Sequence, residues 1–170
     1  IKKVENQYLR QVLEYYFVKD ETFIRNFKGH SAAKTVHHGF AGGLLEHTLS
    51  VVKFCDYMVG AYPILNKDLL FTAAICHDIG KTKIPEEILN APRRLTEEEF
   101  EIIKDHPVYS YELLWDNVDE DIRLAARHHH ERLDGKGYPD QIAGDEISLL
   151  ARITAISDVY DAMISQRSYK

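Results

Sequence analysis

Seven residues with metal-binding side chains follow one another along this chain of 170: His47, the adjacent pair His77 and Asp78, His106, the pair His129 and His130, and Asp158. Imidazole and carboxylate together suit borderline divalent ions such as Mn, Fe, Co, Ni and Zn. The set exceeds what a single four-coordinate site takes, so two neighbouring ions are the economical expectation. Two ions held close together turn a bound water into hydroxide near neutral pH and stabilise charge on a phosphoryl group during in-line displacement. The chemistry these residues point to is phosphoester hydrolysis.

To converge, the side chains must come from different elements. Apolar residues recur at helical spacing through most of the chain and no stretch sustains a period of two, so the expected fold is all-α. Helices are expected at about residues 4–18, 21–27, 41–59, 66–77, 96–105, 108–116, 119–129 and 148–165. His47 then comes from the middle of one helix and Asp158 from the last. His77 and Asp78 would point about 100° apart within a regular helix, so the pair should end its helix. Ile79-Gly80 supplies that ending, with Gly80 expected in the left-handed conformation of a C-terminal cap. Asp78 can give one oxygen to each ion. His47, His77 and Asp158 would complete the first shell, and His106, His129 and His130 the second. His128 directly precedes that last pair, and by residue type any two of the three serve.

Other features frame the ligands. Thr96 and Glu99 form a capping box ahead of Phe100, Ile102 and Ile103, so the acidic run at 97–99 needs only a helix-start explanation. Residues 81–95, with Pro85 and Pro92, and 131–146, with Gly135, Gly137, Pro139 and Gly144, are expected to be irregular. Both follow ligands directly, as the walls of a cleft would. Asp161, three residues after Asp158 on the same helix face, is a candidate for orienting a ligand from behind. Glu46, His37 and His38 are further candidates.

At 45% hydrophobic content the chain can bury one core. A single domain over residues 1–170 is expected, with 1–40 as N-terminal helices packed on it. No apolar run reaches the ~18 residues of a membrane span. The opening Ile1-Lys2-Lys3-Val4-Glu5 lacks a signal-peptide apolar region, so no membrane partner and a cytoplasmic location are expected. Cys55 and Cys76 suggest buried, reduced thiols rather than a disulfide framework. A formal net charge of −6 argues against binding along a long nucleic-acid backbone. A small phosphate ligand stays compatible, with Lys81, Arg132, Lys136, Arg167 and Lys170 near the ligands in sequence. The chain begins without Met and ends inside a motif, so a longer parent with a regulatory domain is expected.

The segment Cys76-His77-Asp78-Ile79-Gly80-Lys81 resembles the signature of the HD superfamily of metal-dependent phosphohydrolases. Downstream, IPEEIL, LTEEEFEIIKDHP, AARHHHERLDGKGYPD, ISDVYDAM and QRSYK resemble in order and spacing the HD-GYP subfamily, whose members hydrolyse cyclic di-GMP. AAKTVHH and GGLLEHTLSVV, within about residues 6–83, look more like the HD domain of bacterial 3′-to-5′ exoribonucleases that carry an OB-fold upstream.

The resemblance implies an HD-domain helical bundle with a metal site in its core and the division of ligands given above. It selects His129 and His130 over His128, and it gives Lys81 contact with the scissile phosphate beside the bridging hydroxide. It further implies substrate contacts at Gly137, Tyr138 and Pro139, and at Arg167 and Lys170 in a segment similar to the family's RPYR. Ser168 and Lys170 replace the Pro and second Arg of that segment, which removes a bidentate guanidinium fork. Gly43 stands where members with a third metal carry Glu, so two ions are implied, Mn or Fe foremost, with Ni, Co or Zn as alternatives. The function implied is hydrolysis of cyclic di-GMP to pGpG and on to GMP. The alternatives are 3′-to-5′ exoribonuclease shortening of a short oligonucleotide, which would call for an upstream nucleic-acid-binding module, or another nucleotide phosphohydrolase activity on the same site, and a catalytically silent signalling module.

Overall fold

The computed structural model of the chain describes residues 1–32, 42–91, 93–114 and 118–164. Among the described residues there are nine α-helices and no strand. They are α1 (Gln7–Glu14), continued by a π-helical turn at Tyr15–Lys19, α2 (Glu21–Gly29), α3 (Gly43–Ala61), α4 (Lys67–Cys76), α5 (Glu86–Leu89), α6 (Glu97–Lys104), α7 (His106–Leu113), α8 (Glu120–His128) and α9 (Leu149–Ile164). Local chemistry sets many of the starts. Asn6, Asp20, Asn66 and Asp119 accept first-turn N–H groups at the beginnings of α1, α2, α4 and α8. The capping box of α6 is formed, with Glu99 N–H donating to Thr96 Oγ1 at 3.2 Å and Thr96 N–H to Glu99 Oε2 at 2.9 Å.

α4 is the central helix: Leu70 through Cys76 are all buried, as a helix apolar on every side must be. It packs against α3, α8 and α9, and α7 packs against α8 and the turn after α4. The main core joins Leu13 and Phe27 from the first two helices to Leu44, Phe71, Leu114, Ile122 and Ile153. The Tyr16 hydroxyl donates to the Leu113 carbonyl, tying the N-terminal helices to α7. A smaller cluster of Ile84, Ile88 and Leu89 packs against Leu95, Ile103 and Tyr109. Cys55 and Cys76 are buried free thiols. No helix among the described residues is long and apolar enough to cross a membrane.

The structure departs from the sequence reading around α4 and α7. Residues 81–95 are less irregular than expected, because a 3-10 turn at Ile79–Lys83 and the one-turn helix α5 occupy part of them. α7 begins at His106, with Pro107 in its first turn, where the missing N–H has no intrahelical partner to lose. Residue 41, Pro92, the end of the 108–116 helix and residue 165 lie outside the described residues. Gly80 is not left-handed; the positive-φ glycines among the described residues are Gly42, Gly135 and Gly144. Its small size answers a different need, since a Cβ there would run into the His106 carbonyl and the Ser110 N and Oγ atoms. α4 ends by a change of winding: His77 is its C-cap, Asp78 takes φ −108° and ψ 9°, and the 3-10 turn follows.

Candidate metal centre

Five helices meet at the candidate ligands. His47 lies one turn into α3, His77 and Asp78 close α4, His106 opens α7, His129 and His130 follow α8, and Asp158 projects from α9. Two groups form: His47, His77 and Asp78, and His106, His129 and His130, with the ligand atoms in each within 4.8 Å of one another. The Nε2 atoms of His77 and His47 are 3.3 Å apart, as are those of His106 and His129. Asp78 lies between the groups. Its Oδ2 is 3.4 Å from His77 Nε2 and 3.6 Å from His47 Nε2. Its Oδ1 is 3.2 Å from His106 Nε2 and 3.6 Å from His129 Nε2. Asp158 Oδ1 lies 3.1 Å from His47 Nε2.

The opposite ring nitrogens fix the tautomers. His77, His106 and His129 each place Nδ1 on the carbonyl three residues earlier, Ala74 at 2.8 Å, Ile103 at 2.7 Å and Ala126 at 2.7 Å. A carbonyl only accepts, so Nδ1 carries the proton and, in the neutral ring, Nε2 points inward as a lone pair. His47 Nδ1 meets Asp161 Oδ2 at 2.7 Å. The facing lone pairs of His106 and His129 repel, and two nitrogens on a common ion at ~2.1 Å would stand about 3.0–3.4 Å apart, which their 3.3 Å spacing matches. Asp78 Oδ1 is buried without a hydrogen-bond partner. An orphaned carboxylate oxygen among imidazole lone pairs is a donor set that fits divalent metal ions.

The electrostatics agree. Burial pulls His106 down to about 4 against the opposing pull of Asp78, and it also lowers His129 and His130, which keeps these rings neutral as ligands must be. His47 is the exception: burial would lower it, but Asp158, Asp161 and Asp78 outweigh that and push it up to about 9. Burial would raise Asp78, yet Lys81 and His77, then His106 and His129, hold its carboxyl well below the usual carboxylate range. Asp158 is likewise held low against burial, by His47 and His130.

Geometry separates His128 from the other two histidines of the triplet. His128 places Nε2 on Asp140 Oδ2 at 2.9 Å and belongs to neither group. Asp161 is buried behind His47, where the sequence suggested an orienting residue. Glu46 is exposed and outside both groups, and Gly43 is buried as the first residue of α3. His37, His38, Arg167 and Lys170 lie outside the described residues. Lys81 is buried, with Nζ 2.6 Å from Asp78 Oδ2 and 2.8 Å from the Ala32 carbonyl.

The Gly137-Tyr138-Pro139 loop packs directly on the site. Tyr138 stacks on His130 with ring centroids 4.8 Å apart at 25°. Gly137 is pressed so closely against the backbone of residues 130–132 that a Cβ would overlap it. Buried Glu131 accepts the N–H groups of Asp140 and Gln141 at 2.6 and 2.9 Å, and the Arg127 fork grips Asp140 at 2.6 and 2.7 Å. Tyr138 and Pro139 also line a cleft of about 450 Å³ with Phe100, Lys104, His130 and Lys136. Sequence reasoning missed Ser110, whose hydroxyl donates to the His77 carbonyl at 2.7 Å and accepts the Gly80 N–H at 2.8 Å. Its place four residues after His106, on the same helix face, was the available signal. Glu131 was also missed.

Comparison with known proteins identifies the family. A family model described as HD domain matches residues 44–170. The chain is 48% identical over 101 residues to the cyclic di-GMP phosphodiesterase response regulator RpfG of Xanthomonas campestris pv. campestris, covering 58% of this chain and 27% of that protein. It is 37% identical over 129 residues to the 3′3′-cGAMP-specific phosphodiesterase 2 of Vibrio cholerae, covering 73% and 25%. It is 35% identical over 147 residues to a cyclic di-GMP phosphodiesterase of the same organism, covering 77% and 27%. The chain thus spans about a quarter of the length of these curated relatives. The exoribonuclease side of the resemblance has no counterpart among them. The matched residues run from α3 through α9 and contain every one of the converging histidines and aspartates, and the chain belongs to the HD domain family.

Proposed function

We propose that this chain is a metal-dependent phosphodiesterase that opens a cyclic dinucleotide, cyclic di-GMP foremost, to pGpG and then GMP. The observation that carries the reading is Asp78, whose two oxygens face two separate histidine groups at 3.2–3.6 Å. The names of the similar proteins supply the substrate class. Two ions, Mn or Fe before Ni, Co or Zn, belong to the reading, one held by His47, His77, Asp78 and Asp158, the other by His106, His129, His130 and Asp78. When bound, such a pair acidifies water near neutral pH and offsets charge on a phosphoryl group.

The chain's own residues supply preorganisation. The Nδ1 bonds lock the rings before substrate arrives, with Asp161 doing this for His47. The Lys81 ammonium has donors only, so it stabilises charge growing on a phosphoryl oxygen without acting as a ligand. Tyr138 fixes His130 and walls a cleft whose size falls in the ~300–1,000 Å³ range of small-molecule sites. Arg167 and Lys170 are proposed to reach substrate phosphate or guanine. A cytoplasmic setting and a regulatory domain in a longer parent chain are part of the same proposal.

The test is turnover of cyclic di-GMP, 3′3′-cGAMP and a short RNA with a 3′-hydroxyl by metal-stripped protein resupplied with Mn or Fe(II). Cyclic dinucleotide opening that disappears in Asp78→Ala is the expected result. Stepwise shortening of the RNA with the cyclic substrates untouched would move the reading to an exoribonuclease.

A further inference from the structure

The HD match starts at residue 44, yet the lysine beside the metal centre is held from outside it. Buried Lys81 gives its ammonium two acceptors, Asp78 Oδ2 at 2.6 Å and the Ala32 carbonyl at 2.8 Å. Ala32 lies in the connector from α2 to α3, and the residues before it are tied on both sides. His30 donates its N–H and its Nδ1 to the Asn26 carbonyl at 2.9 and 2.6 Å, and its carbonyl accepts the Leu44 N–H at 3.1 Å. Ser31 has no exposed surface and donates its hydroxyl to the Leu89 carbonyl of α5 at 3.0 Å.

The two acceptors of Lys81 differ in kind. Asp78 Oδ2 also faces His47 and His77, so an ammonium at hydrogen-bond distance from it competes with a divalent ion for one oxygen. The Ala32 carbonyl belongs to neither group of metal-binding side chains among the described residues and keeps its dipole at every pH. We infer that the connector of residues 30–32 positions the Lys81 ammonium through the Ala32 carbonyl, and that Ser31 is the positioning residue that sets that carbonyl's place. What Lys81 meets, a phosphoryl oxygen, rests on the phosphodiesterase reading; where Lys81 is held rests on the geometry alone. Without the Ser31 hydroxyl the connector loses its tie to α5, and Lys81 leans further on Asp78, against the metal.

The test is a double-mutant cycle on the full chain: unsubstituted protein, Ser31→Ala, Lys81→Ala and the combination. Two quantities are read, the Mn(II) dissociation constant and kcat for bis(p-nitrophenyl) phosphate. Ser31→Ala is expected to weaken Mn(II) binding and to lower kcat by about 10- to 100-fold with KM unchanged, the scale of a ~1 Å misplacement. Both effects should vanish when Lys81 is already Ala, because residues acting through one another are non-additive. Non-additivity in either readout upholds the inference. Additive effects in both, or no effect of Ser31→Ala, overturn it. If Mn(II) binding is non-additive but the unsubstituted protein cleaves no phosphodiester, the connector's role stands and the functional reading fails.

Discussion

Asp78 faces both histidine groups from one side chain, and its neighbours show how it is held there. Oδ1 is buried with no hydrogen-bond partner, while Oδ2 is shared among His47, His77 and Lys81. Asp161 acts one step further out: replacing it with Ala removes the acceptor at 2.7 Å from His47 Nδ1. Metal affinity at the His47 group should fall about 10- to 100-fold. Binding at the His106 group should hold, which a Mn(II) titration resolves as two unequal sites. Which histidines and aspartates converge was legible in the sequence, because the metal chemistry it pointed to calls for these residue types. The exclusion of His128 could be argued there only by resemblance, because its partner Asp140 is brought to it by a loop whose path residue types do not specify.

At the scale of elements, the site depends on close backbone contacts. Gly80→Ala would drive a methyl group into the His106 backbone, and overpacking of this kind costs about 1–3 kcal/mol or more. The urea midpoint should drop accordingly and metal binding should weaken with it. Asp140 ties the 131–146 loop to α8, and Arg127 first, then His128, holds its carboxyl below the usual value against slight burial. A depressed carboxylate contributes stability that is complete above its unfolded value of about 3.9 and is lost as pH falls through the folded value. Asp140→Asn should therefore cost up to about 1 kcal/mol at pH 7, since the pair is partly exposed. The gap between the variant and the unsubstituted protein should close as urea midpoints are followed below about pH 4. Helix positions were legible from periodicity and caps. The 3-10 turn and the true reason for Gly80 were not, because both come from α7 packing on the end of α4.

At the scale of the molecule, Leu13 and Phe27 share one core with Leu114 and Ile153, and Ala32 reaches Lys81. Residues outside the HD match thus support residues inside it. Phe27→Ala should cost about 3–5 kcal/mol, and the loss should appear in a single cooperative unfolding transition that includes loss of metal binding. A separate early transition for the N-terminal helices would contradict that unity. The sequence carries enough apolar residues for a core but says little about which distant ones meet. The dependence of cyclic di-GMP turnover on the number of Mn or Fe(II) ions bound per chain tests the central claim most directly. Two ions per chain are predicted, with turnover appearing as the second binds and both lost in Asp78→Ala. Full turnover with one ion, or two bound ions with no phosphodiester cleaved, would contradict it.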